Sequence, residues 1–328
     1  MKTFSNFFRS VIIGPFAALV IVVVIISLTT DRFLTPGNLT NVSLQVSTVA
    51  IAAIGSTIVI LTGEIDLSPG AVVALTSSVL AVLVQKTGLS LPVGIILALL
   101  FGVLLGGFNG LLSTYIRIPS FVATLATMGI FRGLAFLITE GHPIFSISPY
   151  LETIFYGDLA GIPLPLIYLL VFYAISAVYL RNTRQGRAIY SVGGNETASY
   201  LSGIHVNRSR LMAFVIAGFT AAIAGVLLSA RLNSGSPNYG VALELAAIAA
   251  AVIGGTSLAG GYGNIIGTLF GAMTVAVVQN ALNLNAVPAA WQNISLGFII
   301  LLAVGFDMWR NDVGKGLSRI FSAEVKDS

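Results

Sequence analysis

Long apolar runs, separated by short polar or Gly/Pro-rich breaks, pattern the chain for most of its length. A helix crosses a bilayer core about 30 Å thick with about 20 apolar residues. Ten stretches meet that requirement: 11–30, 42–62, 67–85, 91–115, 121–139, 164–180, 211–231, 241–259, 262–281 and 291–306. The second and third runs are read as separate spans. As one helix they would extend roughly 66 Å at about 1.5 Å per residue, twice the bilayer. Gly63 to Gly70, with Pro69 inside it, supplies the break. The first run follows Lys2 and Arg9 but is longer than the roughly 7–15 apolar residues of a signal peptide, and no A-x-A-like site follows it. It reads as an uncleaved span. The pattern predicts an all-α membrane protein of about ten transmembrane helices, forming one transmembrane domain over 1–328.

Composition agrees. Of 328 residues, 56% are apolar and 9% are charged, against about 25% charged in an ordinary soluble domain. Such a chain cannot cover a water-facing surface, which argues against a soluble enzyme. Cysteine is absent and there are two His, so disulfides, thiolate chemistry and His-rich metal sites are excluded. No nucleophile–His–acid grouping appears either. The net charge of +4 is not read as nucleic-acid binding, because in a membrane protein the placement of cations matters more than their sum.

That placement is one-sided. Lys2, Arg9, Arg117, Arg181, Arg184, Arg187, Arg208, Arg210, Arg310, Lys315, Arg319 and Lys326 fall on one side of the predicted spans. Arg32, Lys86 and Arg231 fall on the other, and Arg132 lies inside a span. The asymmetry predicts cytoplasmic N- and C-termini, with 307–328 as a cytoplasmic tail.

Small residues recur at four-residue spacing as Gly102, Gly106 and Gly110, as Gly263, Gly267 and Gly271, and as Ala217, Ala221 and Gly225. Such stripes let helix backbones approach closely. They serve packing within one bundle or a seam between two subunits.

The 181–210 loop is the longest segment predicted on the cytoplasmic side. Within it Asn195 suits an N-cap, Glu196 suits the positive start of a helix, and Gly203 suits a left-handed stop. These bracket a helix of about seven residues, with Ala198, Leu201 and then Ile204 on one side. So short a helix needs a packing surface, either the chain's own helix ends or a partner.

Here the sequence becomes recognisable. Gly193-Gly194-Asn195-Glu196-Thr197-Ala198 followed by Ser202-Gly203-Ile204 resembles the coupling loop of ribose-type sugar permeases of ABC importers. Four further stretches match that family in order. They are Gly63-Glu64-Ile65-Asp66-Leu67-Ser68-Pro69-Gly70, the run Pro119 to Met128, Phe131-Arg132-Gly133, and the run Glu244 to Gly261. Two positions depart from the family pattern: Ala246 stands where an acid is common after Glu244-Leu245, and Pro69 stands where an aliphatic residue is usual.

The resemblance implies the vitamin B12 importer-like fold in a bacterial inner membrane, with two permease subunits lining one path. The second subunit is a copy or a paralogue. It also implies a cytoplasmic ABC ATPase and a periplasmic or lipid-anchored sugar-binding protein as partners, alongside membrane lipid. Gly193, Gly194, Asn195, Glu196, Ala198, Leu201, Gly203 and Ile204 become candidates for coupling to the ATPase. No G-x-x-x-x-G-K-[ST] loop is present, since Gly314-Lys315 is followed by Gly316 and lacks the upstream glycine. The chain is therefore expected to hold no cofactor, with ATP and Mg bound by the partner.

Polar groups within spans need reasons, since a charge there costs about 2.5–3.5 kcal/mol on insertion scales. Asp66, Asn109, Arg132, Glu244, Gln279 and Asn280 are candidates for a substrate pathway. Each also has a structural reading. Glu64 and Asp66 suit the third helix start, Arg132 and Glu244 suit pairing, and Asn109, Gln279, Asn280 and Asn283 suit helix glue at about 0.6 kcal/mol apiece. Trp291 and Trp309 suit the two interfaces, and His142 and His205 read as surface residues. The outer loop, 140–163, carries Glu140, Glu152 and Asp158; it folds over the bundle mouth or meets a binding protein.

The predicted function is a permease subunit of an ABC importer for a monosaccharide-like solute. The alternative is an ion-coupled secondary transporter with Glu64, Asp66 and Glu244 as its ion site.

Overall fold

A computed structural model describes residues 2–305, and side chains from Ile12 onward. Trp309 and the predicted tail at 307–328 lie outside the described residues. The helices are α1 (Lys2–Thr29), α2 (Pro36–Leu61), α3 (Pro69–Ala81, continued by a π turn at Val82–Lys86), α4 (Leu91–Thr114) and α5 (Ser120–Ile138). They continue with α6 (Tyr150–Tyr156), α7 (Leu164–Asn182), α8 (Arg184–Gly194), α9 (Glu196–Leu201), α10 (Val206–Leu232), α11 (Leu243–Ile253), α12 (Ile265–Leu284) and α13 (Ala289–Gly305).

Sequence explains most of the starts. Proline occupies the first turn of α2, α3, α4 and α7, where its missing N–H costs nothing. Thr183, Asn195 and Asn264 cap α8, α9 and α12 by accepting the backbone N–H of Gly186, Ala198 and Ile266 at 3.0, 2.9 and 2.9 Å. Eight of the described helices are long and apolar enough to cross a membrane. α2 begins at Pro36, six residues before the expected boundary, because Pro36 starts the helix ahead of the apolar run.

The expected span at 241–259 is corrected. Only Leu243–Ile253 is helical, about 16 Å at 1.5 Å per residue and half of a bilayer core. Gly255, Gly260 and Gly261 hold positive φ, which ends the helix despite the apolar composition.

α2 occupies the centre. Its span is 89% buried, whereas that of α1 is 11% buried. α10, α11, α12 and α7 surround it. α1, α4, α5 and α7 turn large apolar residues such as Ile21, Leu104, Leu137 and Leu170 outward, as lipid-facing helices do.

All three small-residue stripes pack inside this one chain. A Cβ on Gly106 would overlap the Phe214 carbonyl and the Gly218 backbone, and one on Gly218 would overlap the Gly102 carbonyl, so α4 and α10 touch backbone to backbone. Gly267 and Gly271 press on the Gly254 and Ala250 carbonyls. Ala217 meets Gly55, and Gly225 meets Thr76 and Val73.

At the end of the bundle away from α9, β1 (Ile144–Phe145) pairs antiparallel with β4 (Ser234–Gly235), and β2 (Asp158–Leu159) pairs with β3 (Ile162–Pro163). Leu151 of α6 is fully buried beside Ala81, Ile147 and Ala230. The 140–163 loop therefore does fold over the bundle mouth. Its acids Glu140, Glu152 and Asp158 stay exposed, Glu140 facing Lys86 at 3.3 Å.

Candidate functional site

Two irregular segments enter the bundle from opposite ends. The first, 62–68, follows α2. The Ile65 N–H donates to Ser120 Oγ at 3.1 Å and the Leu67 N–H to Thr124 Oγ1 at 3.0 Å. Ser120 and Thr124 lie one turn apart on α5, about 6 Å, so two residues of the segment cover about 3 Å each, close to full extension. Asp66, buried at the top of this segment, accepts the Ser68 N–H at 2.8 Å and the Ser68 hydroxyl at 2.7 Å. It thereby fixes the residue that precedes α3. Asn109 Nδ2 donates to Ser68 Oγ at 2.7 Å, so Asp66 and Asn109 meet through one serine.

The second segment, 234–241, follows α10. Non-glycine residues with positive φ bracket it, Asn233 at 43° and Ala242 at 61°. Gly235 packs on Ser77 and Ala81 of α3, and Gly240 packs on Gly70 at the start of α3. The chain thus descends alongside α3 before α11 begins. Backbone without helical bonding is tolerated at such depth only when its polar groups find partners. Arg132 provides them: its guanidinium donates to the Pro237 carbonyl at 2.8 Å and to that of Tyr239. Arg132 is also within electrostatic reach of Glu244, whose carboxylate packs against Gly70, yet the two form no direct ion pair.

At the α9 end, three backbones converge on glycines. The Gly261 N–H donates to the Leu61 carbonyl at 3.0 Å. A Cβ on Gly193 would overlap Leu61 and Gly261, and one on Gly260 would overlap Gly63. The stretches around Gly63, Gly193 and Gly260, far apart in sequence, therefore form one junction in which Gly193, Gly260 and Gly261 leave no room for a side chain. Tyr190 of α8 adds a hydrogen bond to the Gly263 carbonyl at 3.1 Å. Burial pushes its phenol up to about 12, so it stays a donor at physiological pH.

α9 stands on this junction as expected, capped by Asn195 and stopped by Gly203 at φ +78°. Its inward contact is Ser199, whereas Ala198 is exposed, Tyr200 is 72% exposed and Leu201 is 79% exposed. Ile204 is half-buried. Glu196 accepts a two-pronged bond from Arg210 at 2.8 and 3.2 Å. The same guanidinium lies 2.9 Å from Glu64. Glu64 therefore does not cap α3, as the sequence suggested; it holds the entering segment to α10. Asp66 alone serves the α3 start.

The six pathway candidates do not form one site. Asp66 and Asn109 meet at Ser68, and Arg132 and Glu244 face the 234–241 segment. Asn280 exchanges amide hydrogen bonds with Asn38 at 2.9 and 3.0 Å, both buried, and is helix glue. Gln279 faces a cleft at the far end, with Asn283, Gln45 and Arg231. Glu64, Asp66 and Glu244 likewise stay apart, and among the described residues no three acidic or His side chains gather as an ion site would require.

Three elements escaped the sequence. α8 was read as loop, although Thr183 as a cap and Ile189 and Val192 as a buried face would have signalled it. Ser120 and Thr124 gave no sign of their bonds to 62–68. Arg210 looked like one basic residue among several.

The chain matches the family model described as branched-chain amino acid transport system / permease component over residues 38–304. It is 43% identical to the ribose import permease protein RbsC of Bacillus subtilis, covering 90% of this chain and 92% of that protein. It is 41% identical to the protein of the same name from Haemophilus influenzae, covering 88% and 90%. To the xylose transport system permease protein XylH of Escherichia coli it is 35% identical, covering 89% and 90%. No solved structure matches the chain.

Proposed function

This chain belongs to the branched-chain amino acid transport system / permease component family and, within it, to the ribose-type permeases of ABC importers; from that premise we propose that it passes a monosaccharide such as ribose or xylose across the membrane. It is a multi-pass inner-membrane transport subunit and not an enzyme. In this reading ATP and Mg are bound by a cytoplasmic ATPase, a binding protein delivers the sugar from outside, and a second permease, copy or paralogue, completes the path. The α9 end faces the cytoplasm, in keeping with Arg181, Arg184, Arg187, Arg208 and Arg210 gathering there.

One observation carries the coupling role. α9 leaves Tyr200 and Leu201 bare, while Arg210 ties its first residue to Glu64 and so to the segment that leads into α3. A bare apolar pair on an anchored helix suits a docking partner. Movement of the ATPase would thus reach the α3 start through Glu196, Arg210 and Glu64.

The test is co-purification and uptake. Leu201→Glu, at an exposed position, should leave the fold intact while the ATPase no longer co-purifies and sugar uptake stops. Uptake by the chain alone in liposomes under an ion gradient would overturn the ABC reading in favour of a secondary transporter.

A further inference from the structure

At the end of the bundle opposite α9, a cleft of about 340 Å³ opens between α2, α10, α12 and α13. Five carboxamides line it, Gln45, Gln279, Asn283, Gln292 and Asn293, together with Arg231 and Thr48. The volume lies at the lower end of the roughly 300–1,000 Å³ typical of small-molecule sites.

Its hydrogen-bonding capacity is largely unspent. Gln292 Nε2 donates to Asn283 Oδ1 and to the Val287 carbonyl, both at 2.9 Å. Gln45, Gln279 and Asn293 make no hydrogen bond among the described residues, and Arg231 has no carboxylate partner among them. Thr48 Oγ1 is buried at 7% exposure, near the Tyr156 hydroxyl but without a hydrogen bond.

The chemistry is selective. A carboxamide offers both donors and an acceptor, as a hydroxyl does, so a ring of them matches a neutral solute with several hydroxyls. No acidic residue lines the cleft, which gives a cation nothing to pair with. Val49, Leu228 and Leu296 supply apolar wall for the C–H faces of a sugar ring.

We propose that this cleft is a binding site within the single subunit for a neutral polyhydroxylated solute of pentose size, where the solute pauses before the path between subunits. The inference rests on the sugar-permease reading and adds a location and a set of contacts to it. Gln45, Gln279 and Asn293 exchange hydrogen bonds with hydroxyls, and Arg231 donates to hydroxyl or ring oxygens.

The chain has no cysteine, so Val241→Cys, at an exposed lining position that supplies none of the proposed hydrogen bonds, introduces a single thiol. In the full chain in nanodiscs, a water-soluble maleimide reports access to that thiol while D-ribose is titrated. Free-site fraction falls as 1/(1 + [L]/Kd), so sugar at about three times Kd slows labelling about fourfold. Leu159→Cys, on the exposed β2–β3 hairpin, should be unaffected. Adding Gln45→Leu and Arg231→Met should remove the protection.

Protection by inorganic phosphate or by anionic lipid, with none by D-ribose or D-xylose, would overturn the proposal in favour of an anion site. Uptake by the assembled importer, measured in parallel, separates the two claims. Pentose uptake with an unprotected thiol overturns the cleft alone; neither uptake nor protection overturns the cleft together with the permease reading.

Discussion

Arg210 and Glu64 lie 2.9 Å apart in an ion pair that joins α10 to the segment leading into α3, and both side chains are largely buried. The same guanidinium grips Glu196 with two further nitrogen–oxygen contacts. One side chain therefore connects the docking helix to the interior of the bundle.

Replacing Arg210 with Met leaves two carboxylates facing each other. The expected cost is about 1–3 kcal/mol, below that of a fully buried pair because Glu196 is solvent-exposed. Sugar uptake should fall more steeply than ATP hydrolysis, the signature of lost transmission. Arg210→Lys should not restore uptake, because a lysine offers a point charge and no planar fork. The ratio of sugar moved to ATP hydrolysed in proteoliposomes is the measurement; an unchanged ratio in Arg210→Met would refute the linkage.

Gly261→Ala and Gly203→Ala separate close approach from backbone strain. Both residues have positive φ, which costs an alanine about 1–2 kcal/mol. Gly203 has open space around it, whereas a Cβ on Gly261 would overlap the Gly194 backbone. Thermal unfolding in detergent should show Gly261→Ala as clearly the more destabilised of the two. Equal losses would mean that the three-glycine junction is looser than described.

Arg132→Leu should strand the carbonyls of Pro237 and Tyr239 inside the bundle, at about 1–3 kcal/mol for an unsatisfied buried acceptor. The 234–241 segment should loosen. Labelling of Asn238→Cys, exposed on that segment, should speed up when Arg132 is lost, and Arg132→Lys should restore it in part.

Asn38 and Asn280 satisfy one another reciprocally. Either single change to Leu leaves a buried amide without its partner, while the double change removes both. The double variant should therefore lose less stability than the two singles summed, by about 0.6–1.7 kcal/mol. A strictly additive result would show that the pair is not coupled.

The apolar runs made the long helices legible, since each needed only length and composition. They misled at 241–259, because hydropathy registers the apolar side chains of Leu243–Ile253 but not the glycine geometry that follows. Asn195 and Gly203 delimited α9 from local rules alone. The pathway candidates fared worse. Asn280, Gln279 and Asp66 differ little in sequence context, yet one glues helices, one lines a cleft and one fixes a helix start. Asn280 depends on Asn38 and Gln279 on a cleft shared with Arg231, both far away in the chain, whereas Asp66 bonds Ser68 two residues on; and no spacing rule links Glu64 to Arg210. The resemblance had already marked the stretches at Gly63, Gly193 and Gly260, but not that they touch.

The near-full extension of Ile65 to Leu67, between the Glu64 anchor and the α3 start, has a mechanical consequence. A taut chain transmits a pull and buckles under a push. Force applied at Glu64 through Arg210 can therefore draw the α3 start toward α9, but it cannot drive it the other way. The linkage is a tether with a direction, and the return of α3 must be powered by the packing of the bundle itself.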